Sequence, residues 1–266
     1  MVKKQVIRKK PKADGTDLVV KQKLIWTVGH ICTLVFGLYF AFYSIYRLAF
    51  FYRYRSWKTL FLTARRHISG RHFSWLKWLA GFTPNVAYRL SLVGVLASHG
   101  ITTWQSWADL SPTYYDLLCT DNFQNLLIAT LWLFTRTSFY KLVPFIIVSY
   151  LHLTKKKNTS EQDITRQNSS LLHVVAYSEI VVLVSLFMDT LMFRGTSGFA
   201  FVFYLAIYWL KVNFSPYVQN TVLRILSKFD KAIPGSQQGK WNSAKNFLVK
   251  RLQEQERSQK EVRKRL

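Results

Sequence analysis

Acidic residues and cysteines are scarce in this chain of 266 residues. Only 13 Asp and Glu accompany 37 Lys and Arg, which gives a formal net charge of +24. Cys32 and Cys119 lie far apart in different segments, so no disulfide framework is indicated. The chain also lacks a Gly-rich phosphate loop, a Gly-x-Ser-x-Gly turn and the His-Glu-x-x-His or Cys-x-x-Cys patterns of metal sites. We therefore expect no enzyme, metal site or cofactor.

Apolar and basic residues dominate what the sequence does contain. Hydrophobic residues make up 50% of the chain and aromatic residues 16%. A membrane protein can combine this apolar content with a large positive charge, because Lys and Arg collect where the chain meets anionic headgroups. Nucleic-acid binding is the rival interpretation of so basic a chain. The basic residues flank apolar runs, so we favour the membrane and expect no nucleic-acid partner.

Long apolar runs predict an all-α, polytopic integral membrane protein with helical hairpins and basic amphipathic interfacial helices. The run 171–192 contains only His173, Glu179 and Asp189 as ionisable residues, and about 20 apolar residues cross the hydrocarbon core. A short polar turn separates it from a second run at 199–214, which completes a hairpin. The predicted membrane domain is 24–216, with spans or hairpins near 24–46, 84–101, 123–153, 171–192 and 199–214.

The segment 123–153 admits two interpretations. Arg136 and Lys141 separate two apolar stretches, and Pro144 lacks the backbone donor that a helix interior uses. One kinked crossing would contain two buried cations. Alternatively, two short helices enter one leaflet and return.

The segments outside the apolar runs are basic. Residues 1–23 predict a disordered basic arm that is not a secretory signal, because the following apolar run is too long and lacks a cleavage site. Residues 56–81 are typical of an amphipathic helix in the headgroup plane, or of a basic helix packed on its neighbours. Residues 217–266 predict a cytosolic tail with amphipathic helices at 217–230 and 241–252.

Charge distribution also suggests sidedness. Residues 102–122 contain three Asp and no Lys or Arg, which places them on the lumenal side by the positive-inside rule. The lysines at 155–157 place the loop 154–170 in the cytosol. Both flanks of the first span are equally basic, so the side of the amino terminus stays open.

Of the ionisable residues in the predicted membrane segments, we weigh His152, Glu179 and Asp189 as candidates, because such groups in hydrocarbon mark functional sites by default. One hypothesis is a small-solute transporter or channel centred on Glu179. A lipid-modifying enzyme that uses His152 or His173 with Asp189 has no supporting motif. We favour a structural role, in which Glu179 bonds a hydroxyl or the imidazole of His152 or His173, and Asp189 lies near the lumenal surface.

The tail provides the candidate binding residues. Apolar residues recur at helical intervals beside basic ones, which favours binding to anionic membrane. A nuclear import receptor is an alternative partner, because such receptors recognise basic segments, here Lys250-Arg251 and Arg263-Lys264-Arg265. The predicted membrane- or partner-binding residues are Trp241, Lys245, Phe247, Leu248, Lys250, Arg251 and Leu252.

Three segments carry a likeness to a known family: LVPFIIVSYLHLTKKK at 142–157, YSEI at 177–180 and FYLAIYWLKVNFSPY at 203–217. Over roughly Leu60 to Asp230, the chain resembles the transmembrane protein 33 family, also called Krüppel homologue 2, and especially its fungal pore-membrane branch. The long basic amino-terminal arm and the charged tail depart from the animal members. Residues that match the family pattern are Pro144, His152, Glu179 and Pro216.

The resemblance implies a non-enzymatic protein of the endoplasmic reticulum membrane and nuclear envelope, including the nuclear pore membrane. Members of that family are associated with reticulon-type shaping proteins, with organisation of the endoplasmic reticulum and, in fungi, with nuclear pore complex assembly and distribution. We therefore expect membrane shaping, with the lipid bilayer, reticulon-type proteins, nucleoporins and a nuclear import receptor as partners.

Overall fold

All regular elements in the described part of the chain are helices, which confirms the all-α prediction. A computed structural model describes residues 16–54, 75–108, 113–154, 169–193 and 197–230, and all but 240, 244 and 248 of residues 238–250. The helices are α1 (Thr16–Tyr54), α2 (Trp75–Trp107), α3 (Tyr114–Leu118), α4 (Asp121–Phe134), α5 (Phe139–Thr154), α6 (Ser169–Leu191), α7 (Ser197–Phe214) and α8 (Pro216–Phe229).

Helix α1 begins earlier than the sequence pattern suggested. The predicted disordered arm, 1–23, is wrong for residues 16–23, which are helical. Leu18, Val19 and Val20 extend the apolar run of the first span, so the helix continues through the two lysines that follow them. Residues 1–15 lie outside the described part of the chain.

Helices α1 and α2 pack antiparallel along most of their length. Gln105 at the end of α2 donates to Gln22 near the start of α1, at 3.0 Å, and the hydroxyls of Tyr39 and Thr83 lie 3.2 Å apart farther along. The predicted span 84–101 is therefore the middle of a longer helix. Pro84 lies within α2, and membrane helices tolerate proline where neighbouring groups bond the freed backbone.

Small residues bring the backbones of α1 and α2 together. A Cβ added to Gly94 would lie 2.6 Å from the Gly29 carbonyl oxygen, so the two helices leave no space for a methyl group there. One turn away, Ser91 Oγ donates to the Thr33 carbonyl at 3.1 Å, and Thr33 Oγ1 donates to the Ser91 carbonyl at 3.3 Å. Close approach through small residues and hydroxyl bonds is how helices associate in lipid, where the hydrophobic effect offers little drive.

The segment 123–153 forms two helices, α4 and α5, separated by residues 135–138. Helix α4 runs antiparallel to α2, because Asn122 bonds His99 and Thr137 lies beside Asn85. Helix α5 then returns antiparallel to α1, so that Ser149 bonds His30. Of the two interpretations, the pair of short helices is the one that the structure adopts. At 1.5 Å per residue their 14 and 16 residues extend roughly 21 and 24 Å.

The predicted hairpin 171–192 and 199–214 is confirmed as α6 and α7. Pro216 lacks a backbone donor, so α7 ends at Phe214 and α8 begins in a new direction, bent by 99°. By length and hydropathy, two described helices can cross a membrane, Leu18–Ala49 and Ser169–Leu191. The bent pair α7 and α8 would make a third.

The loops 102–122 and 154–170, predicted on opposite sides of the membrane, adjoin the same end of the bundle. The rings of Tyr115 in α3 and Phe214 at the end of α7 lie 6.1 Å apart, and Tyr217 contacts His173 in the first turns of α6 at 5.7 Å. The absence of Lys and Arg from 102–122 therefore does not place this segment on the opposite side. Helices α1 and α2 form one antiparallel pair and α4 and α5 another, so the chain returns to the end where α1 begins after each pair. We call this end the basic end. The adjoining segments 1–23, 155–168 and 215–266 contain 24 of the 37 Lys and Arg.

Helix α8 covers the basic end of α6 and α7. Val218 and Thr221 are buried there, and Val222 and Leu223 pack on the core. The amphipathic helix predicted at 217–230 is present, but much of its apolar face binds the bundle rather than lipid. Phe229, at its far end, stays exposed. Most of the predicted interfacial helix 56–81 lies outside the described residues.

The close contact at Gly94 gives a stability test. We expect Gly94→Ala to lower the melting temperature of the purified protein, because overpacking costs about 1–3 kcal/mol, which exceeds the roughly 1 kcal/mol that Ala gains over Gly in a helix. Gly100→Ala is the matched control in α2, since its added Cβ would find its nearest neighbour at 3.9 Å. Equal melting temperatures for the two variants would contradict this packing.

Candidate functional site: a buried ion pair and a folded tail

An ion pair between Glu179 of α6 and Lys211 of α7 lies inside the bundle. The two residues are 4% and 5% exposed. Lys211 Nζ donates to Glu179 Oε1 and to Asn125 Oδ1 of α4, the latter at 2.9 Å. The expected hydroxyl or imidazole partner for the Glu179 carboxylate is therefore wrong. An opposite charge stabilises a carboxylate buried in hydrocarbon more than a hydrogen bond from a neutral group does.

Aromatic side chains surround the ion pair. Tyr204 Oη donates to the backbone carbonyl of Glu179 at 3.2 Å, and the Tyr204 ring packs 5.3 Å from that of Trp132. These residues place α4, α6 and α7 around one polar centre. The ion pair consequently fixes the register of the α6–α7 hairpin against α4.

Lys141 of α5 is a second buried cation beside this centre. Its Nζ donates to Thr135 Oγ1 at 3.1 Å and to the Arg136 carbonyl at 2.8 Å, and it lies 4.6 Å from the centroid of the Trp132 ring. The bonds to the 135–138 turn and the ring contact compensate part of its lost hydration. Arg136 itself is exposed, so only one of the two cations of this segment is buried.

The other predicted intramembrane residues lie at opposite ends of the bundle. Asp189 accepts a hydrogen bond of 2.9 Å from Tyr140 Oη, near the end away from the basic segments. His152 lies at the basic end, stacked on His30 at 4.8 Å and edge-on to Trp26 at 5.6 Å. Neither residue joins Glu179, so the three do not form one site.

A group of imidazoles at the basic end was not predicted. His30 of α1 is buried, bonds Ser149 Oγ at 3.1 Å, and lies 6.0 Å from the ring of His99, which bonds Asn122 at 2.9 Å. Residues from four helices meet in this group. Among the described residues, no three His, Cys, Asp or Glu are arranged to hold a metal ion.

Two of the predicted tail residues fold back onto the end of α8. Trp241 Nε1 donates to Asp230 Oδ1 at 2.6 Å, and Lys245 Nζ pairs with Asp230 Oδ2. We call this arrangement the Asp230 clasp. Phe247 is 62% exposed, and Lys250 is exposed beside it. The remaining predictions, Leu248, Arg251 and Leu252, lie outside the residues whose side chains the structure describes.

The clasp depends on the charge of Asp230. The hydrogen bonds from Lys245 and then Trp241 hold the pKa of the Asp230 carboxyl below its ordinary value of 3.8. A lowered pKa in the folded state means that the clasp contributes stability above pH 3.8, and that this contribution is lost as pH falls through the lowered pKa. The Asp230 carboxyl therefore keeps its charge throughout the physiological pH range.

The chain is 45% identical to a Saccharomyces cerevisiae protein, the uncharacterized membrane protein YGR026W. The alignment spans 269 residues and covers 97% of each chain. The chain belongs to the same membrane-protein family. No family model and no solved structure matches it.

This relationship and the apolar helices together confirm that the protein is an integral membrane protein that contacts the lipid bilayer. Sequence reasoning identified Glu179 but missed its partner. Two signals pointed to the polar centre: Lys211 is the first charge in the apolar run of α7, and Lys141 interrupts the run 123–153. An acidic and a basic residue in neighbouring apolar segments are therefore candidates for a buried ion pair.

The ion pair predicts a strong coupling between its two members. Lys211→Met leaves the Glu179 carboxylate buried without its cation, and we expect a loss of about 3–5 kcal/mol of stability. The double variant Glu179→Gln, Lys211→Met removes both charges and should recover part of that loss in thermal unfolding of the detergent-solubilised protein. Lys250→Met, the same substitution at an exposed lysine, is the control. A double variant no more stable than the worse single variant would show that the charges do not interact.

Proposed function

We propose that the protein is a non-enzymatic membrane-shaping protein of the endoplasmic reticulum and nuclear envelope that supports nuclear pore complex assembly and distribution. The observation that carries the proposal is that the chain segments connected to one end of the bundle, where α8 bends away from α7, contain 24 of the 37 Lys and Arg. The resemblance of residues 142–157, 177–180 and 203–217 to the transmembrane protein 33 family supports the cellular location.

The positive-inside rule assigns the basic end to the cytosol. The start of α1, the ends of α2 and α5 and the start of α6 then face the cytosol, while the end of α1 and the start of α2 face the lumen. Each Lys or Arg near an anionic leaflet contributes about 1 kcal/mol to its attraction. Charge on this scale holds the basic end against the cytosolic leaflet.

Unequal insertion into the two leaflets is the physical basis of the proposed shaping. Helix α8 lies at 99° to α7 at the basic end, beside a tail that presents Phe247 and Lys250 outward. Helices α4 and α5 are shorter than the roughly 30 Å of hydrocarbon, which favours local thinning of the bilayer. Apolar side chains added to the cytosolic leaflet alone expand it relative to the lumenal leaflet and favour curvature.

A small-solute transporter centred on Glu179 is the second candidate function. The buried pair of Glu179 and Lys211 favours it, because charges in hydrocarbon are costly and often functional. The cavity beside the pair measures about 10 Å³, which is room for about one water molecule. A site of this size fits a structural role better than solute passage, so we retain membrane shaping as the principal function.

Glycosylation mapping tests the orientation of the chain, and fluorescence microscopy tests where in the cell it resides. An N-glycosylation acceptor inserted between residues 64 and 74 should receive one core-sized glycan, because we place this segment in the lumen of the endoplasmic reticulum. The natural acceptor sequences Asn158-Thr159-Ser160 and Asn168-Ser169-Ser170 should stay unmodified, since we place both on the cytosolic side. A glycan on Asn158 would show the opposite orientation.

A fluorescently tagged chain should localise to the nuclear rim. Evenly distributed nuclear pores in cells that lack the protein would contradict a role at the pore.

Shaping can be tested with the full chain reconstituted into anionic liposomes. We expect the protein to reduce vesicle diameter in electron micrographs, and Phe247→Asp to weaken this effect by placing a charge where an apolar ring inserts. Asn246→Asp adds the same charge at the neighbouring exposed position and is the matched control. Vesicles of unchanged size with the wild-type protein, or equal effects of the two variants, would contradict the proposed role of the tail.

A further inference from the structure

A small cavity lies where charged residues from three helices approach one another. Lys141 of α5, Glu179 of α6 and Lys211 of α7 all line it, and its volume is about 10 Å³. Asn125, Trp132 and Tyr204 complete the polar and aromatic part of its wall. Apolar side chains, among them Ile128, Phe145 and Val182, line the rest.

One carboxylate oxygen of Glu179 lacks a hydrogen bond within the protein. Oε1 accepts from Lys211, but the buried Oε2 has no partner among the described residues. Glu179 is more than nine-tenths buried. A buried acceptor without a donor costs about 1–3 kcal/mol, and more when it is charged. The unpartnered oxygen therefore calls for a hydrogen-bond donor in the cavity.

The two lysines beside the cavity each have a donor to spare. An ammonium group carries three N–H donors. Lys211 Nζ uses two of them on Asn125 and Glu179, and Lys141 Nζ uses two on Thr135 and Arg136. The cavity consequently brings together one unused acceptor and two unused donors.

The mixed charges around the cavity, together with its small volume, favour a small neutral ligand. An anion attracted by the lysines would face the Glu179 carboxylate, and a cation attracted by that carboxylate would face two ammonium groups. A small molecule that both donates and accepts hydrogen bonds satisfies all three residues without adding charge. Water has this chemistry, and a cavity of about 10–15 Å³ with two to four polar partners holds one molecule.

We infer that the cavity binds a single water molecule, which donates a hydrogen bond to Glu179 Oε2 and accepts one from Lys141 Nζ. This water connects α5 to the ion pair of α6 and α7. It completes a polar centre to which four helices contribute, and it makes Lys141 a partner of Glu179 through one bridging molecule.

Solid-state NMR of the full chain in lipid bilayers tests this inference. With ¹³C-labelled glutamate, the Glu179 carboxyl signal is assigned by its loss in Glu179→Gln. We expect a short-range correlation from this carbon to a proton at the frequency of bound water, in addition to the one from the Lys211 ammonium. A correlation to ammonium protons alone would overturn the inference.

Two valines on α6 provide a matched pair for the same measurement. Val182 lines the cavity and is 1% exposed, whereas Val181 is 55% exposed. Val182→Ile adds one methylene group that occupies the water site without changing any charge, so the water correlation should be lost. Val181→Ile should retain it. A water correlation that persists in Val182→Ile would show that the water does not bind in this cavity.

Discussion

Hydrocarbon cannot hydrogen-bond to protein, and this constraint shapes the whole bundle. Every polar group inside must find its partner on another residue or on a bound molecule. The Glu179–Lys211 pair is the most demanding case, because two full charges are withdrawn from water. Lys141 bonds the turn before its own helix, while Ser91 and Thr33 bond each other's backbone. These bonds fix the rotation and register of helices that lipid alone would leave free to slide.

Pairing of helices also decides which loops share a side. Once α1 and α2 are antiparallel, and α4 and α5 likewise, residues 108–120 and 155–168 must adjoin the same end. The Tyr115–Phe214 and Tyr217–His173 ring contacts bring α3 and the start of α6 to the junction of α7 and α8. The chain segments that connect to that end contain 24 of the 37 Lys and Arg, so positive charge is unequally divided between the two ends in the sequence. The proposed membrane shaping depends on such asymmetry more than on any single residue.

In the tail, a local contact decides which residues of a membrane-binding pattern remain available to lipid. Trp241 and Lys245 have the composition of a membrane-binding segment, yet both bind Asp230. The clasp holds the start of this segment against the end of α8, and Phe247 and Lys250 are among the residues that stay exposed. An amphipathic pattern indicates that a face will be buried, but it does not say whether lipid or protein will cover it. The same holds for α8, whose Val218 and Thr221 cover the bundle.

Much of the fold could be predicted because helix formation and membrane insertion depend on local composition. The apolar runs at 171–192 and 199–214 gave the α6–α7 hairpin to within a few residues, and Pro216 marked its end. The sequence also indicated that burying the Glu179 carboxylate in hydrocarbon costs free energy, whatever the position of its helix. Boundaries failed where an apolar run continued through charged residues, as at 16–23, because the lysines there lie on an exposed helix that needs no partner for them.

By itself, the sequence determined that the chain is helical, that it enters a bilayer, and that its positive charge gathers outside the apolar runs. These properties are sums over neighbouring residues. Only the tertiary structure decided that Lys211 is the partner of Glu179, that 123–153 makes two helices, and that 102–122 shares a side with the basic loops. Each depends on contacts between residues distant in the chain. In lipid, shape and hydrogen bonding between helices select those contacts, and residue composition alone does not reveal which helices fit together.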